Sequence, residues 1–312
     1  MAELSMREAY GRALADYGAL NPNTVALDVD TSASTLSNFF AEKFPERFFN
    51  VGIAEPCMVD VAAGLALGGF LPFINGFASI LSLRALEQIR TCVCYARTNV
   101  KIAASYAGIS DFKDGATHYS ISDLANLRAL PGMTVIVPAD AAETAAWVPI
   151  VAEHYGPVYL RISRAGALPV YQAGDPLEIG KGRTLRPGKD LTLVATGSMV
   201  GRCALAAEQL AAEGIDARLL EIHTLKPLDR DILLLAAEET GALVTAEEHN
   251  IIGGLGSAVA ETLAEICPVP LERVGIRDHF CPTGRDLDNL MDACGLSVAE
   301  IVAAAKRVLE RK

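Results

Sequence analysis

The strongest constraint on the fold of this chain is a repeated alternation of short apolar runs with longer segments of helical pattern. The runs at 24–28, 71–74 and 100–104 have strand length, and segments such as 79–96 and 122–129 have helical length. Parallel strands need crossover connections, which helices usually provide. The alternation therefore predicts an α/β fold in which a mostly parallel sheet is covered on both faces.

The alternation lapses once, between residues 166 and 187, where Gly, Pro and short runs are typical of a linker. A chain of 312 residues is also longer than a single hydrophobic core usually organises. We therefore expect two doubly wound domains. The first would span 1–165 and contain the mostly parallel sheet, and a smaller C-terminal α/β domain would span 188–312.

Composition and charge exclude several classes of protein. The chain has 27 basic and 38 acidic residues, a formal net charge of −11, which opposes binding to nucleic acid and to anionic membranes. Its first residues include Glu3 and Arg7 where a signal peptide needs an apolar core, and no run of about 18 apolar residues occurs. We expect a cytoplasmic protein that binds neither nucleic acid nor membranes.

The cysteines form no CxxC pair, and most lie within apolar helical patterns. Such an odd and scattered set predicts reduced, buried thiols, with no disulfide and no zinc site. The seven residues are Cys57, Cys92, Cys94, Cys203, Cys267, Cys281 and Cys294.

The stretch 47–56 (RFFNVGIAEP) is the first candidate functional segment. Its apolar run stops at Gly52, and Glu55 stands where the next helix should begin. Ligands of parallel sheets bind beyond the carboxyl ends of the strands, which is where Glu55 is expected. An acid at a helix N-terminus also stabilises that helix by about 0.3–1 kcal/mol, so its position alone leaves a structural role open.

A long connection, Tyr106 to His118, is the second candidate, because loops longer than about 12 residues in compact domains are usually functional. It ends in Asp114-Gly115 and in His118, which is the only His among the first 150 residues. A lone loop His is as often solvated. Together with Asp114 and Glu55, however, it suits proton transfer near neutral pH.

Two further segments carry charge at strand ends. Residues 247–256 (EEHNIIGGLG) could bind an anion at a helix N-terminus, but they lack the spacing of GxGxxG and of GxxxxGK[ST]. We interpret them as a structural strand-to-helix turn that could face a neighbouring subunit. Arg161 and Arg164 lie three residues apart at a strand end and point in different directions, so at most one is expected to bind a ligand anion.

Several blocks in this order resemble the thiamine diphosphate enzymes of the transketolase family, over essentially the whole chain. They are RFFNVGIAEP, RALEQIR (84–90), DGATH (114–118), ISR (162–164) and VTAEEHNIIGGLGSAVAE (244–261). The likeness is to the pyrimidine-binding and C-terminal domains alone. Family members hold the cofactor diphosphate through Mg²⁺ on a GDG motif and a downstream Asn, and this sequence has no GDG.

The resemblance therefore implies the C-terminal subunit of a split transketolase, which moves a two-carbon ketol unit from a ketose phosphate to an aldose. Thiamine diphosphate and Mg²⁺ would be held mainly by an N-terminal partner subunit, in an α2β2 assembly. Glu55 matches the family glutamate that hydrogen-bonds the aminopyrimidine ring and promotes proton removal from the thiazolium C2. His118 matches the histidine near the reacting carbon. The implied cofactor contacts are Ile53, Phe77 and Ile80.

The same comparison implies the substrate contacts. Asp114 matches the acid that reads a donor hydroxyl, and Arg7, Ser34 and Arg164 match positions that hold the anionic end of a sugar phosphate. Tyr106 occupies a position where transketolases commonly place a phosphate-binding His.

Three residues depart from the family pattern. Besides Tyr106, Ile80 stands where many relatives have an aromatic ring, and Lys113 replaces the acid before Asp-Gly. These departures suggest a rebuilt pocket for an unusual ketose, such as a branched or sulfonated one.

Other functions remain open from the sequence. One is a 1-deoxy-xylulose-5-phosphate synthase, which is normally one long chain with Arg near position 106. Another is a 2-oxoacid dehydrogenase β subunit, which usually lacks the DG-TH pattern. The third is a non-catalytic scaffold, against which the presence of Glu55, Asp114 and His118 argues.

Overall fold

The structure, a computed structural model, describes residues 4–312 and contains two β-sheets flanked by helices. The first part of the chain forms α1 (Met6–Leu20), β1 (Thr24–Asp28), α2 (Ser32–Thr35), α3 (Asn38–Lys43), a 3₁₀ turn (Pro45–Arg47), β2 (Phe48–Asn50), α4 (Glu55–Leu67), β3 (Leu71–Phe77), α5 (Ala78–Arg84), α6 (Leu86–Gln88), a π-helix (Ile89–Tyr95), β4 (Lys101–Ser105), α7 (Asp123–Arg128), β5 (Thr134–Ile136), α8 (Ala141–Glu153) and β6 (Val158–Arg161).

The second part of the chain continues the alternation of strands and helices. It forms β7 (Arg183–Arg186), β8 (Leu191–Ala195), α9 (Met199–Ala212), β9 (Ala217–Glu221), β10 (Thr224–Lys226), α10 (Arg230–Thr240), β11 (Leu243–Asn250), α11 (Leu255–Ile266), β12 (Leu271–Ile276), α12 (Leu287–Ala293) and α13 (Val298–Leu309).

Both sheets are mostly parallel, which confirms the predicted fold class. The seven-stranded sheet has the order β10-β5-β6-β4-β3-β1-β2, and only the β10–β5 pair is antiparallel. The five-stranded sheet has the order β12-β11-β8-β9-β7, with only β7–β9 antiparallel. Side chains of β1 alternate between two apolar cores, since Val25 and Leu27 face one and Ala26 the other. The sheet is therefore buried on both faces, as crossover helices require.

The two halves of the chain are joined through a common sheet and a common core, which the sequence did not predict. Strand β10 leaves the second half to pair with β5, with Thr224 opposite Ile136. One apolar core also joins Tyr159 of the first half to Ile222 of the second. The predicted linker 166–187 contains β7 at its end. The short elements α2, β7 and β10 were not predicted, because three or four residues carry too little periodicity. The single helix expected over 79–96 is divided into α5, α6 and the π-helix.

The cysteine prediction is wrong for one pair. A disulfide bond joins Cys281 to Cys294, whose Cα atoms are 6.0 Å apart. These residues follow β12 and α12, so the chain fold brings them together, and their spacing in sequence gave no sign of it. Of the free thiols only Cys94 and Cys203 are buried, and Cys57 is exposed.

Residues 4–312 include no helix that combines the length and apolarity needed to cross a membrane.

A buried ion pair connects the two halves beside β6. Arg161 Nε donates to Asp123 Oδ2 at 2.7 Å, and both side chains are almost completely buried. Arg161 Nη2 also donates to the carbonyl oxygens of Ser120 (2.9 Å) and Glu248 (3.1 Å). Burial alone would raise the pKa of Asp123, but the Arg161 charge brings it below its usual range.

Replacing Arg161 by Met tests the importance of this pair. Met keeps the aliphatic stem but leaves Asp123 as a buried carboxylate without its countercharge, so we expect unfolding free energy to fall by about 3–5 kcal/mol. Denaturant unfolding measures the change. The control Arg12→Met removes an exposed ion pair with Glu8 and a cation–π contact with Phe39, which together should cost about 1 kcal/mol. Equal losses in the two variants would show that the buried pair does not hold the halves together.

Candidate active site

Glu55 is the first residue of α4 and is followed by Pro56, which favours a helix start. Its side chain is 3% exposed although it carries a carboxylate. Its Oε2 accepts a hydrogen bond from Arg84 Nη1 at 2.9 Å, and Arg84 itself is 52% exposed. Sequence reasoning used Arg84 only as part of a family block and did not assign it to the site. A solvent-facing cation therefore covers the buried acid.

Several exposed apolar side chains lie on α4, which begins with Glu55, and on the two helices packed with it. The inner sides of α4, α5 and the π-helix share one core, whereas their outer sides expose Val61, Leu67, Leu83 and Tyr95. Ile53, just before α4, is 76% exposed. Apolar patches of this kind on a folded chain usually mark a surface that another molecule covers.

Tyr106 lies directly after β4 in a left-handed conformation, with φ of +62°. A non-glycine residue in this region costs about 1–3 kcal/mol and is often found at functional sites. Arg7 Nη1 donates to the Tyr106 hydroxyl at 3.1 Å and to the Ser34 carbonyl oxygen at 2.5 Å. The Arg164 guanidinium lies 5.4 Å from the centre of the Tyr106 ring. The structure thus brings together the four residues predicted near the anionic end of a substrate.

Both arginines keep bonding capacity for a ligand. Arg7 Nε and Arg164 Nε are buried and make no hydrogen bond with residues 4–312, although Arg164 Nε lies 3.5 Å from Asp111 Oδ1. The two guanidinium groups lie 5.7 and 5.4 Å from the centre of one phenol ring, a setting suited to a phosphate, sulfonate or carboxylate.

A row of rings links this pair of arginines to His118. The Phe77 ring, at the end of β3, lies 4.3 Å from the Tyr106 ring and 6.0 Å from the His118 ring, measured between centroids. These are distances at which aromatic rings attract each other. The structure therefore gathers Phe77 and His118 with the predicted anion contacts.

The loop that carries Asp114 and His118 contains a second acid that sequence reasoning missed. Asp111 is buried, and its Oδ1 lies 3.5 Å from Arg164 Nε. Burial and the adjacent Asp114 carboxyl group raise the pKa of Asp111 to about 6. The sequence did contain a signal, since Asp111 and Asp114 stand three residues apart within one turn.

Ile80 lies in α5 and lines a cavity of about 330 Å³ between that helix and the loop. Arg84 lines the same cavity on the helix side, and Ala116 and Thr117 line it on the loop side. The cavity is thus the space between the cation that covers Glu55 and the segment that carries His118. Ile53 does not line it.

Glu247 explains the glycine-rich turn after β11. Its two carboxylate oxygens accept hydrogen bonds from the backbone N–H groups of Leu255 (2.7 Å) and Gly256 (2.8 Å), at the start of α11. A side chain at Gly254 would place Cβ 1.9 Å from Glu247 Oε2, so this position requires glycine. The chain's own carboxylate already fills the helix N-terminus. The interpretation of this segment as a structural strand-to-helix turn is confirmed.

One group of possible metal ligands occurs among residues 4–312. His279, Cys281 and Cys294 place their ligand atoms within 4.8 Å of one another. The two sulfur atoms are bonded to each other, so they do not offer thiolates. Mg²⁺ requires oxygen ligands, which this group does not supply.

The pH dependence of stability should reveal the buried Glu247. Burial raises the pKa of Glu247 to about 7, although the two backbone N–H groups oppose the rise. Between the ordinary carboxyl pKa and this value the folded state holds a proton that the unfolded state has lost. Stability should therefore fall as pH rises from about 4.5 to 7, by roughly 3 kcal/mol, and then level off.

Denaturant unfolding of the native chain and of Glu247→Gln between about pH 4 and pH 8 measures this contribution. The difference in unfolding free energy between them should shrink as pH rises, because Gln does not titrate. Glu238→Gln, which changes an exposed acid on α10, is the control. Parallel curves for the native chain and Glu247→Gln would contradict the prediction.

Comparison with known families agrees with this architecture. Residues 2–167 match the model described as transketolase, pyrimidine binding domain, and residues 180–301 match transketolase, C-terminal domain. A 6-deoxy-6-sulfo-D-fructose transketolase subunit, SqwH, of Clostridium sp. (strain MSTE9) is 45% identical over 98% of this chain and 95% of its own length. An apulose-4-phosphate transketolase subunit of Phocaeicola vulgatus is 38% identical, over 88% of each chain.

Solved structures give the same result. A split gene transketolase, described as an inactive β4 tetramer, superposes with a TM-score of 0.91 and 48% identity over the full length of both chains. A transketolase from Leishmania mexicana shares the fold, with a TM-score of 0.83 and 22% identity, and this chain covers 46% of it. On these grounds the chain belongs to the transketolase family of thiamine diphosphate-dependent transferases.

Proposed function

We propose that this chain is the C-terminal subunit of a split transketolase, which transfers a two-carbon ketol unit from a ketose phosphate to an aldose together with an N-terminal partner subunit. The observation that carries the proposal is the buried carboxylate of Glu55 at the edge of an exposed apolar surface. Such a carboxylate, with Ile53 exposed beside it, has the chemistry to hold an aminopyrimidine ring against an apolar wall.

The residues present fit one half of thiamine diphosphate. Among the residues that the structure describes, Arg84 is the one side chain that hydrogen-bonds Glu55, and it contacts a single carboxylate oxygen. The other oxygen remains for the aminopyrimidine. The diphosphate and Mg²⁺ need oxygen ligands of the kind a GDG motif provides, and this sequence has no GDG. We assign those ligands to the partner subunit.

The bound cofactor supplies the carbon nucleophile, and the chain's own residues orient it and handle protons. Glu55 holds the aminopyrimidine proton in place. His118 is half-buried and Asp114 is exposed, so both can contact substrate hydroxyl groups. His118 is suited to exchange a proton at the reacting carbon near neutral pH.

The exposed apolar side chains near the start of α4 and on the helices packed with it offer a contact surface for a second kind of subunit. Ile53, Leu67, Leu83 and Tyr95 would be covered in an α2β2 complex, in which a symmetric pair of these chains binds two partner chains. The similar split gene transketolase is described as inactive in its β4 form, which agrees with a need for another chain.

The substrate pocket supports an unusual ketose. Tyr106, with Arg7 and Arg164 beside it, replaces the common phosphate-binding His, and Ile80 provides apolar contact without stacking. Two relatives are named for 6-deoxy-6-sulfo-D-fructose and apulose 4-phosphate. We propose a branched or sulfonated ketose as donor.

A panel of ketoses tests the donor. The chain is purified with a partner that carries GDG, and kcat/KM is measured for xylulose 5-phosphate, fructose 6-phosphate, a sulfonated ketose and a branched ketose phosphate. We expect one of the last two to give the highest kcat/KM, because the guanidinium pair around Tyr106 differs from the usual His site. Highest kcat/KM for xylulose 5-phosphate would contradict the donor proposal but leave ketol transfer intact.

Pyruvate in the same panel distinguishes the alternatives. A 1-deoxy-D-xylulose-5-phosphate synthase of Geobacter sulfurreducens is 38% identical over 97% of this chain, which spans 48% of that protein. Release of CO₂ from pyruvate, with no ketol transfer, would overturn the proposed function.

Replacing Glu55 by Gln tests the catalytic role. Gln keeps the shape but cannot take part in the proton transfer, so we expect hydrogen–deuterium exchange at C2 of the bound cofactor to slow by about 10²–10⁴-fold. NMR after acid quench measures the exchange. The control Glu87→Gln makes the same change at an exposed acid on α6 that pairs with Arg90. Unchanged C2 exchange in Glu55→Gln would favour the scaffold alternative.

A further inference from the structure

The loop that carries Asp114 and His118 is closed at its neck by a short antiparallel pair. Gly108 N donates to the Ser120 carbonyl oxygen at 3.1 Å, and Ser120 N donates to the Gly108 carbonyl oxygen at 2.8 Å. The residues between them also contact the first half of the chain, through the ion pair of Asp111 with Arg164 and the contact of the His118 ring with Phe77. The neck is where the loop leaves the sheet, so its position contributes to where His118 lies.

Glu248, from β11 of the other half of the chain, holds this neck. Its Oε1 accepts a hydrogen bond from the backbone N–H of Ile109 at 2.7 Å, and its Oε2 accepts one from Ser198 Oγ at 2.5 Å. The side chain is 4% exposed. A buried carboxylate with both oxygens bonded is fixed in position, so it ties Ile109 to the start of α9.

Gly108 fits closely against the same carboxylate. It has φ of +62°, and a Cβ there would lie 2.2 Å from Glu248 Oε1 and 2.5 Å from its Cδ. The backbone of the neck can approach Glu248 only because position 108 has no side chain. The contact thus depends on residues from both halves of the chain.

Three more contacts join the loop region to the second half of the chain. Asn250 N donates to the Ile121 carbonyl oxygen (3.1 Å), Gly284 N donates to the Phe112 carbonyl oxygen (2.9 Å), and the Tyr119 hydroxyl donates to the Pro282 carbonyl oxygen (3.0 Å). In these three the second half contributes backbone atoms. Glu248 differs from these residues because it binds the neck through its side-chain carboxylate.

We propose that Glu248 is a positioning residue of the transferase, which holds the 108–120 neck so that Asp114 and His118 face the substrate. The proposal rests on the proposed function for its catalytic consequence. It gives the C-terminal half of the chain a direct part in ordering the active-site loop, although that half contributes none of the predicted site residues.

Two measurements on the full chain, with and without its partner, test Glu248→Ala. The first is amide hydrogen exchange at Asp114 and His118, whose N–H groups bond within the loop to Asp111 and Gly115 and do not touch Glu248. We expect their exchange to accelerate by at least about tenfold, because the neck is no longer fixed. The second is the kinetics of the complex with its best ketose donor.

For the kinetics we expect kcat/KM to fall by about 10–100-fold, with a raised KM for the donor, because a displaced loop loses both contact and alignment. Glu248→Gln should restore most of this loss, since its amide oxygen can still accept from Ile109 and its amide nitrogen can donate to Ser198. A merely structural role would lower kcat through loss of folded enzyme and leave KM unchanged.

Ser198→Ala is a graded comparison. It removes the hydrogen bond to Glu248 Oε2 but leaves the one from Ile109 N to Oε1, so exchange at Asp114 and His118 should accelerate less than in Glu248→Ala. If Glu248→Ala fails to fold, Gly108→Ala disturbs the same contact from the other side and should also accelerate loop exchange. Unchanged loop exchange in folded Glu248→Ala or, where that variant does not fold, in Gly108→Ala overturns the proposal. A native complex without ketol transfer overturns the proposed function instead, and the exchange experiment still decides the role of Glu248.

Discussion

The buried contact of Arg161 with Asp123 is the interaction on which the rest of the arrangement depends. Arg161 ends β6 and Asp123 begins α7, and the same guanidinium binds the carbonyl oxygens of Ser120 and Glu248. Three segments that are distant in sequence thus meet at one cation. Such a pair contributes little net stability over an apolar substitute, but breaking it is costly, so it fixes β6 against the start of α7. The hydrogen bond to the Glu248 carbonyl oxygen joins them to the second half of the chain.

The active-site segments follow from that arrangement. Parallel strands deliver their carboxyl ends to one edge of the sheet, and there Phe77 ends β3, Tyr106 follows β4 and Arg164 follows β6. Glu55 reaches the same edge through the turn after β2. The long loop with His118 must be held from outside the sheet, and the second half of the chain does this beside Arg161. The contacts around Arg161 therefore contribute both to the fold and to the position of the active-site loop.

The sequence was sufficient to predict those features that depend on a single residue or on local hydrophobic periodicity. The strands and longer helices followed from periodicity, and the position of Glu55 at the start of a helix followed from its place after Gly52. Contacts between distant segments were not visible. Arg84 covers Glu55 across 29 positions, and Ile109 meets Glu248 across 139 positions. No local pattern encodes such pairs, because they exist only once crossover connections have set the strand order. The disulfide of Cys281 and Cys294 was missed for the same reason.

The ion pair of Glu55 with Arg84 shows how the chain can be stable before the proposed cofactor and partner bind. An unpaired buried carboxylate would be costly, and Arg84 removes that cost from the solvent side. Because Arg84 is 52% exposed, water can solvate its guanidinium group when Glu55 binds another donor, so the ion pair can be exchanged. Glu55 is therefore shielded from bulk water, and its ion pair with Arg84 can be replaced by another contact. An aminopyrimidine delivered against Ile53 by another subunit would meet a carboxylate that is already desolvated and already in place.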